Sequence, residues 1–285
     1  MYEYTLSVIN AAGEELELSR AFNRFVLTDV EGLGPPATDI AASSGAGDGS
    51  VFGAAHARER TIVLHLVMAG DVEENRLWLY RAFTPKKPVT LVFTNRLRSV
   101  KTVGYVETHE PDIYAPAEKV DITLRCPSPW LESVTPEDFI PSYSVPLFSA
   151  PFSIEEGEPI PVSEVVDHPT SLILNSGDVE CGFAAEVTFS GAVEGLRFAN
   201  ETAGTWFKLD YSFAVGDKLT LDTRSGRLAV KVVQGTTVTN LLRYMVSGSR
   251  WLKLAVGANR LGVTADSGID SAAVTISVCK LFGGV

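Results

Sequence analysis

The chain has 285 residues, 45% of them apolar and 21% charged, a globular balance that excludes disordered and fibrous classes and is long enough for one or two domains. Its 35 acidic and 24 basic side chains leave a formal charge of −11, a poor basis for holding nucleic acid, because neutralising phosphates supplies most of that affinity. No apolar run is long enough to span a membrane, and Met1-Tyr2-Glu3-Tyr4 lacks the basic region and apolar core of a signal peptide, so synthesis in the cytosol is expected.

In chain order, Tyr2 to Ile9 and Glu14 to Leu18 read as strands around an Ala11-Ala12-Gly13 turn, and Phe25 to Val30 as a third strand. Gly32 to Ala57 is rich in Gly, Ala, Ser and Pro and too long for an ordinary connection, so a functional arm or a mobile loop is expected there. Its centre, Ser44-Gly45-Ala46-Gly47-Asp48-Gly49-Ser50, lacks the Gly-Lys-Ser/Thr ending of a phosphate loop and reads as a flexible tip. Asp48 alone lacks the further oxygen ligands calcium needs. Arg60 to Met68 is a nearly continuous apolar strand interrupted by His65, which is expected to be a hydrogen-bonded core or interface residue. Asp71 then makes an N-cap, with Glu74 completing a capping box and Glu73 favouring the helix N-terminus. Val72, Leu79 and Phe83 give that helix one apolar face, and Pro85 stops it. Val89 to Thr94 and Val100 to Thr108 form a hairpin across Asn95-Arg96-Leu97-Arg98, and Lys119 to Arg125 adds a last strand. These elements make an α+β domain, mainly β, with one short helix.

Cys126 to Pro169 contains nine prolines, a density no central strand or helix interior accommodates. It reads as an extended connector that becomes the outer edge of a second domain, the boundary falling between Trp130 and Ser142 and dividing residues 1–135 from 136–285. Between Arg125 and Arg197 there is no Lys or Arg and there are twelve acidic residues. That segment is a solvated acidic surface, a docking face for a basic partner, or a field that keeps DNA from sticking.

Beyond the connector, Phe183, Ala185, Val187 and Phe189 alternate with Ala184, Glu186 and Thr188, the period of a half-buried strand that Gly191 ends. Leu196 to Ala199 and Thr205 to Leu209 pair across Asn200-Glu201-Thr202-Ala203-Gly204. Gly216-Asp217 opens another pair, Leu219 and Leu221 running to the Arg224-Ser225-Gly226 turn and Leu228, Val230 and Val232 running back. Trp251, Leu252 and Leu254 lead into a Gly257-Ala258-Asn259 turn before Leu261 and Val263 resume. This is an antiparallel β-sandwich.

Residues for catalysis do not assemble in the sequence. His56, His65, His109 and His168 are scattered, and no G-x-S-x-G elbow is present. Cys126, Cys181 and Cys279 stand singly without C-x-x-C spacing, which argues against a zinc site or disulfide framework and for buried free thiols. Glu14-Glu15 and Glu155-Glu156 read as solvated. Trp130, Trp206 and Trp251 could stack on sugars, but Trp206 and Trp251 lie in alternating segments where core packing is the stronger expectation. No catalytic residue, cofactor or metal is expected.

The strings NSGDVECGF (Asn175 to Phe183), FSG (Phe189 to Gly191), GDKLTLDTRSG (Gly216 to Gly226) and SRWLKLAVGANRL (Ser249 to Leu261), in that order, resemble the C-terminal domain of the siphophage distal tail proteins. FVLTDVEGLGPP, DGSVFG, RTIVLHLVM, TPKKPVTLVF and GYVETHEP resemble the N-terminal domain of the same family; Thr135 to Pro169 has no such counterpart. The resemblance implies a homohexameric ring of N-terminal domains carrying galectin-like C-terminal sandwiches at the virion tail tip. Such a ring joins the tail-tube protein to the tail-tip hub protein, anchors receptor-binding proteins in many phages, and lets DNA through its lumen. It implies no membrane insertion, no sequence-specific nucleic acid binding and no enzyme activity. Within the Gly34 to Phe52 segment, Gly34, Pro35, Pro36, Asp48, Gly49 and Phe52 are the expected ring contacts. Asn175, Gly177, Gly191, Gly216, Asp217, Trp251, Gly257 and Asn259 are the structural residues of the C-terminal motifs. The rival reading is a cell-wall carbohydrate-binding sandwich, recognised by aromatics on a solvent-facing sheet; a glycoside hydrolase ranks third.

Overall fold

The structure, a computed structural model, describes residues 4–18, 24–44, 48–115, 118–140, 144–146, 163–165 and 170–285. The chain divides into two compact units, Met1–Thr135 with Leu281–Val285, and Pro136–Lys280.

Unit 1 holds strands β1 (Thr5–Ile9), β2 (Glu15–Leu18), β3 (Phe25–Glu31), β4 (Thr38–Ser44), β5 (Ser50–Ala57) and β6 (Arg60–Met68), helix α1 (Val72–Ala82), and strands β7 (Pro88–Thr94), β8 (Ser99–Pro111), β9 (Lys119–Cys126) and β10 (Leu131–Ser133). Antiparallel pairing orders the main sheet β2-β1-β7-β8-β9-β6-β3, with β10 on β8. Strict alternation decides its buried face: Ile62, Leu64 and Leu66 of β6, Val120, Ile122 and Leu124 of β9, and Val89 and Leu91 of β7 all enter one core. Helix α1 adds Leu79, Ala82 and Phe83 to that cluster, while Val72 and Trp78 are only partly covered. Asp71 caps it by accepting from the Glu74 amide at 3.1 Å, which satisfies one of the unpaired first-turn donors. Asn75, on the buried side of the helix, donates to the Ala69 carbonyl at 2.7 Å.

Residues 281–285 correct the assignment of the whole C-terminal part to the second domain. Leu281–Phe282 is a strand antiparallel to β10, Phe282 packs on the unit 1 core, and the Arg98 guanidinium lies 4.6 Å from its ring centroid while donating to the Gly284 carbonyl at 2.7 Å.

Unit 2 opens with β11 (Glu137–Phe139), the mutually paired β12 (Ser144–Pro146) and β13 (Ser163–Val165), β14 (Thr170–Asn175) and β15 (Phe183–Phe189). Then come β16 (Val193–Glu194), β17 (Arg197–Asn200), β18 (Thr205–Lys208), β19 (Ser212–Phe213), β20 (Lys218–Asp222), β21 (Ala229–Gln234), β22 (Thr237–Asn240), β23 (Gly257–Thr264) and β24 (Ala272–Val278). One sheet runs β11-β24-β15-β20-β21-β22 and the other β14-β23-β17-β18. Their inner faces supply the sandwich core: Phe183, Ala185, Val187, Leu219, Leu221, Val230, Val232 and Ile276 from the first, Ile173, Phe198, Phe207, Leu261 and Val263 from the second. The proline-rich connector thus contributes short strands, and β11 is the edge of its sheet, where missing donors are tolerated. Gly257-Ala258-Asn259 is the start of β23 rather than a turn, although Gly257 has φ +97°. Trp251 to Leu254 is not a regular strand; Leu254 makes a single two-bond bridge to Cys181.

Candidate functional site

In the Gly/Ala/Ser-rich segment Thr38–Ser44 and Ser50–Ala57 are paired strands, which corrects the mobile-loop alternative for those residues. β4 and β5 pair from Thr38↔Ala57 to Ser44↔Ser50 with an irregularity between Ala41 and Ala42, and they form a two-stranded sheet outside the main one. Ile40, Val51 and Phe52 are each 65% exposed. Two strands without a covered face are marginal in water by themselves, and both outer edges keep backbone groups available for another strand. Of the expected ring contacts, Phe52 stands opposite Ala42 on β5, while Asp48 and Gly49 approach the tip and are exposed. Gly34, Pro35 and Pro36 lie at the root, not with the others, and Gly34 carries a structural bond described next. The tip residues Gly45, Ala46 and Gly47 lie outside the described residues.

The root is held by Arg60, which is 3% exposed. Its Nη1 donates to the carbonyls of Gly32 and of Gly34, the latter at 2.6 Å; Nη2 donates to Pro129 at 2.8 Å and Gly283 at 2.7 Å, and Nε to Pro129 at 3.0 Å. Burial pulls the guanidinium's pKa below its ordinary value. Gly32 is needed there: it has φ +85°, and a Cβ would stand 2.0 Å from the Thr61 carbonyl oxygen.

The C-terminal motif residues lock turns of the sandwich. Buried Asn175 donates to the carbonyls of Val179 and Leu254 and accepts from the Gly177 amide. Directly across the β14–β23 ladder from it is Gly257, and Asn259, fully buried, accepts from the Ala255 amide at 2.9 Å and donates to Ala255 and Gly257. These four residues therefore converge on one end of the sandwich. Gly191, Gly216 and Asp217 belong elsewhere: a Cβ on Gly191 would meet Ser271 Oγ at 2.4 Å, the Gly216 amide donates to Phe189, and Asp217 accepts from the Ala214 amide and Gln234 Nε2. Trp251 is half-buried, its ring 5.3 Å from that of Phe207. Trp206 corrects the core expectation. It is half-buried and lines a pocket on the sheet's outward face with Arg197, Glu201, Thr170 and Gly262.

Sequence reasoning missed Arg60, Asn200 and the Trp206 pocket. Phase was the available signal: Arg60 is in step with Ile62 and Leu64, and Asn200 with Phe198, so both point inward. Asn200 meets this by donating to the Lys253 carbonyl at 2.8 Å and capping the Ala203 amide.

His65 sits on the solvent side of β6 with Nδ1 2.7 Å from Asp121 and Nε2 3.4 Å from Glu31, and the Asp121 hydrogen bond raises its pKa. His109 lies against Tyr80 and Phe83, and burial lowers its pKa. All three cysteines are buried and outside any disulfide, and burial pushes the Cys181 thiol up to about 11, far from a reactive thiolate. Among the described residues no cluster of three His, Cys, Asp or Glu side chains could hold a metal, and no helix is long and apolar enough to cross a membrane.

Residues 176–278 match the family model of the siphovirus-type tail component, C-terminal domain. The fold is similar, over nearly the whole chain, to that of SPP1 Dit, described as a paradigm of the hub adsorption apparatus in phages infecting Gram-positive hosts. The TM-score is 0.67 at 14% identity, with 98% of this chain and 99% of that one covered. A chain of the phage p2 baseplate in its activated, strontium-bound conformation gives a TM-score of 0.52 at 14% identity, covering 97% and 98%. The calcium-bound baseplate gives 0.53 at 13% identity, covering 98% of each chain. Comparison with curated proteins gave no match.

Proposed function

We propose, from a chain whose residues 176–278 match the family model of the siphovirus-type tail component, C-terminal domain, that the whole protein is a distal tail adaptor of a siphophage or prophage. Six copies form a ring through unit 1, joining the tail tube to the tail-tip hub, and unit 2 faces the receptor-binding apparatus. The observation that carries this reading is the family match on unit 2 together with fold similarity to SPP1 Dit across 98% of the chain.

The hairpin supports the ring. An exposed two-stranded arm with apolar Ile40, Val51 and Phe52 gains most by laying itself on a neighbouring copy, where strand addition or side-chain burial completes it. The acidic balance supports DNA passage, because a lumen offering few phosphate contacts does not retain the genome. The chain is made in the host cytoplasm, resides at the virion tail tip and performs no catalysis.

Native mass spectrometry and negative-stain microscopy test the reading. Six-fold rings with a central hole are expected, and deletion of Thr38 to Ala57 should shift them toward monomer while both units stay folded. A strictly monomeric mass at high concentration, unchanged by the tail-tube partner, would refute ring formation.

A further inference from the structure

The outward face of the β14-β23-β17-β18 sheet contains a pocket of about 460 Å³, within the size range of small-ligand clefts. Register explains its shape. Trp206 is opposite Ala199, Ala199 opposite Gly262, and Gly262 opposite Thr170. Opposed residues share a face, so the row descends from an indole over a methyl and a bare Cα to a hydroxyl. The floor is therefore low at Ala199 and Gly262, with Thr170 Oγ1 and Glu201 Oε1 standing 3.5 and 3.6 Å from where a Gly262 Cβ would be, and an aromatic wall closes the other end.

Polar groups flank that row. Arg197, two residues before Ala199 on β17, holds its guanidinium 5.7 Å from the indole centroid. Glu201, two residues after Ala199, accepts from Thr170 Oγ1 at 3.4 Å. Lys208 beside Arg197 is paired with Asp266 at 2.7 Å, so no uncompensated cationic cluster marks the pocket for an anion. Nor is it the continuous hydrocarbon surface that an acyl chain would select. An indole wall, one multi-donor cation, one acceptor carboxylate and a low floor suit a ligand that is apolar on one face and hydroxylated at its rim.

We infer that this pocket binds one hexopyranose unit of a neutral saccharide. The ring's C–H face lies against Trp206, its hydroxyl oxygens accept from Arg197, and a hydroxyl donates to Glu201. The sandwich alone builds this site, so it stands or falls independently of ring assembly.

Saturation-transfer NMR on the full chain, with a panel of methyl pyranosides of gluco, galacto, manno, rhamno and N-acetylglucosamine type, tests the inference alongside a neutral-glycan array. At least one panel member should bind. Trp206→Ala should weaken it roughly tenfold, or about 1.4 kcal/mol, and Arg197→Gln and Glu201→Gln should weaken it severalfold, with melting curves confirming that each variant is folded. Trp251→Ala should bind as the parent does, since Trp251 packs on Phe207 and does not line the pocket. The inference is overturned if no saccharide of either set binds. It is equally overturned if Arg197→Gln and Glu201→Gln leave binding intact, or if binding vanishes in about 0.5 M salt, the signature of charge-driven attachment.

Discussion

Replacing Arg60 by Met measures what holds the root of the hairpin. The guanidinium makes five hydrogen bonds to four carbonyls, and charge-assisted bonds are each worth about 1.5–3 kcal/mol net. Against that gross gain stands the removal of a cation from water, several kcal/mol, with all five of these bonds going to neutral carbonyls. The outcome depends on the acceptors left behind. Gly32 and Gly34 are exposed and rehydrate, whereas Pro129 and Gly283 are only half-exposed. Two partly stranded carbonyls, at about 1–3 kcal/mol each when fully buried, with the aliphatic volume preserved, lead to an expected destabilisation of about 3 kcal/mol. Differential scanning calorimetry should show the loss in the unit 1 transition and leave that of unit 2 in place. Arg60→Lys should fall between, because an ammonium cannot reproduce the planar fork. A change below about 0.5 kcal/mol, the range of an ordinary surface substitution, would refute the argument by showing that desolvation cancels the bonds.

Asn259→Ala should destabilise unit 2 by about 1–3 kcal/mol in urea titration, since it removes three hydrogen bonds made by a fully buried side chain, although the Ala255 groups left behind are exposed and rehydrate. Trp251→Ala should cost about 1–2 kcal/mol, below the 3–5 typical of a fully buried aromatic, because its ring is half-exposed. The two histidines should titrate in opposite directions from 6.5 by NMR. His65, raised by Asp121, contributes stability that is complete below 6.5 and is lost as pH rises through its folded pKa, and Asp121→Asn should abolish that contribution. His109, lowered by burial, makes unit 1 less stable as pH falls below 6.5 toward its folded value, and His109→Phe should remove this acid sensitivity.

The strands legible in the sequence are those with one wet and one dry face. β15, β20 and β21 alternate strictly because the sandwich covers only one side of each, and α1 announced itself through Asp71 and a four-residue apolar spacing. The hairpin was illegible for the complementary reason: with no buried face there is no alternation to detect, so ladder-forming Ala and Ser looked like loop. Leu281–Phe282 is too short to have a period, and its partner lies some 150 residues back, a pairing that no local pattern encodes. Trp206 was misread because hydrophobic content was weighed over phase. Its neighbours Phe207 and Leu209 are buried, which turns the indole outward. Gly182 and Gly268 look like ordinary turn residues, yet each lies where a Cβ would meet a backbone carbonyl oxygen within 2.4 Å.

The return of Leu281–Phe282 to β10 sets an order of events on the ribosome. At about 5–20 residues per second, residues 281–285 emerge on the order of ten seconds after β10, once all of unit 2 has been made. Throughout that delay β10 has β8 on one side but nothing on the other, Arg60 lacks the Gly283 carbonyl and Arg98 that of Gly284. The sandwich has its own long wait, β11 for β24 about 140 residues on, but that last strand still precedes residues 281–285 in the chain. The unit translated second is thus the first to be finished, and a fusion placed at residue 285 burdens the closure of the unit translated first.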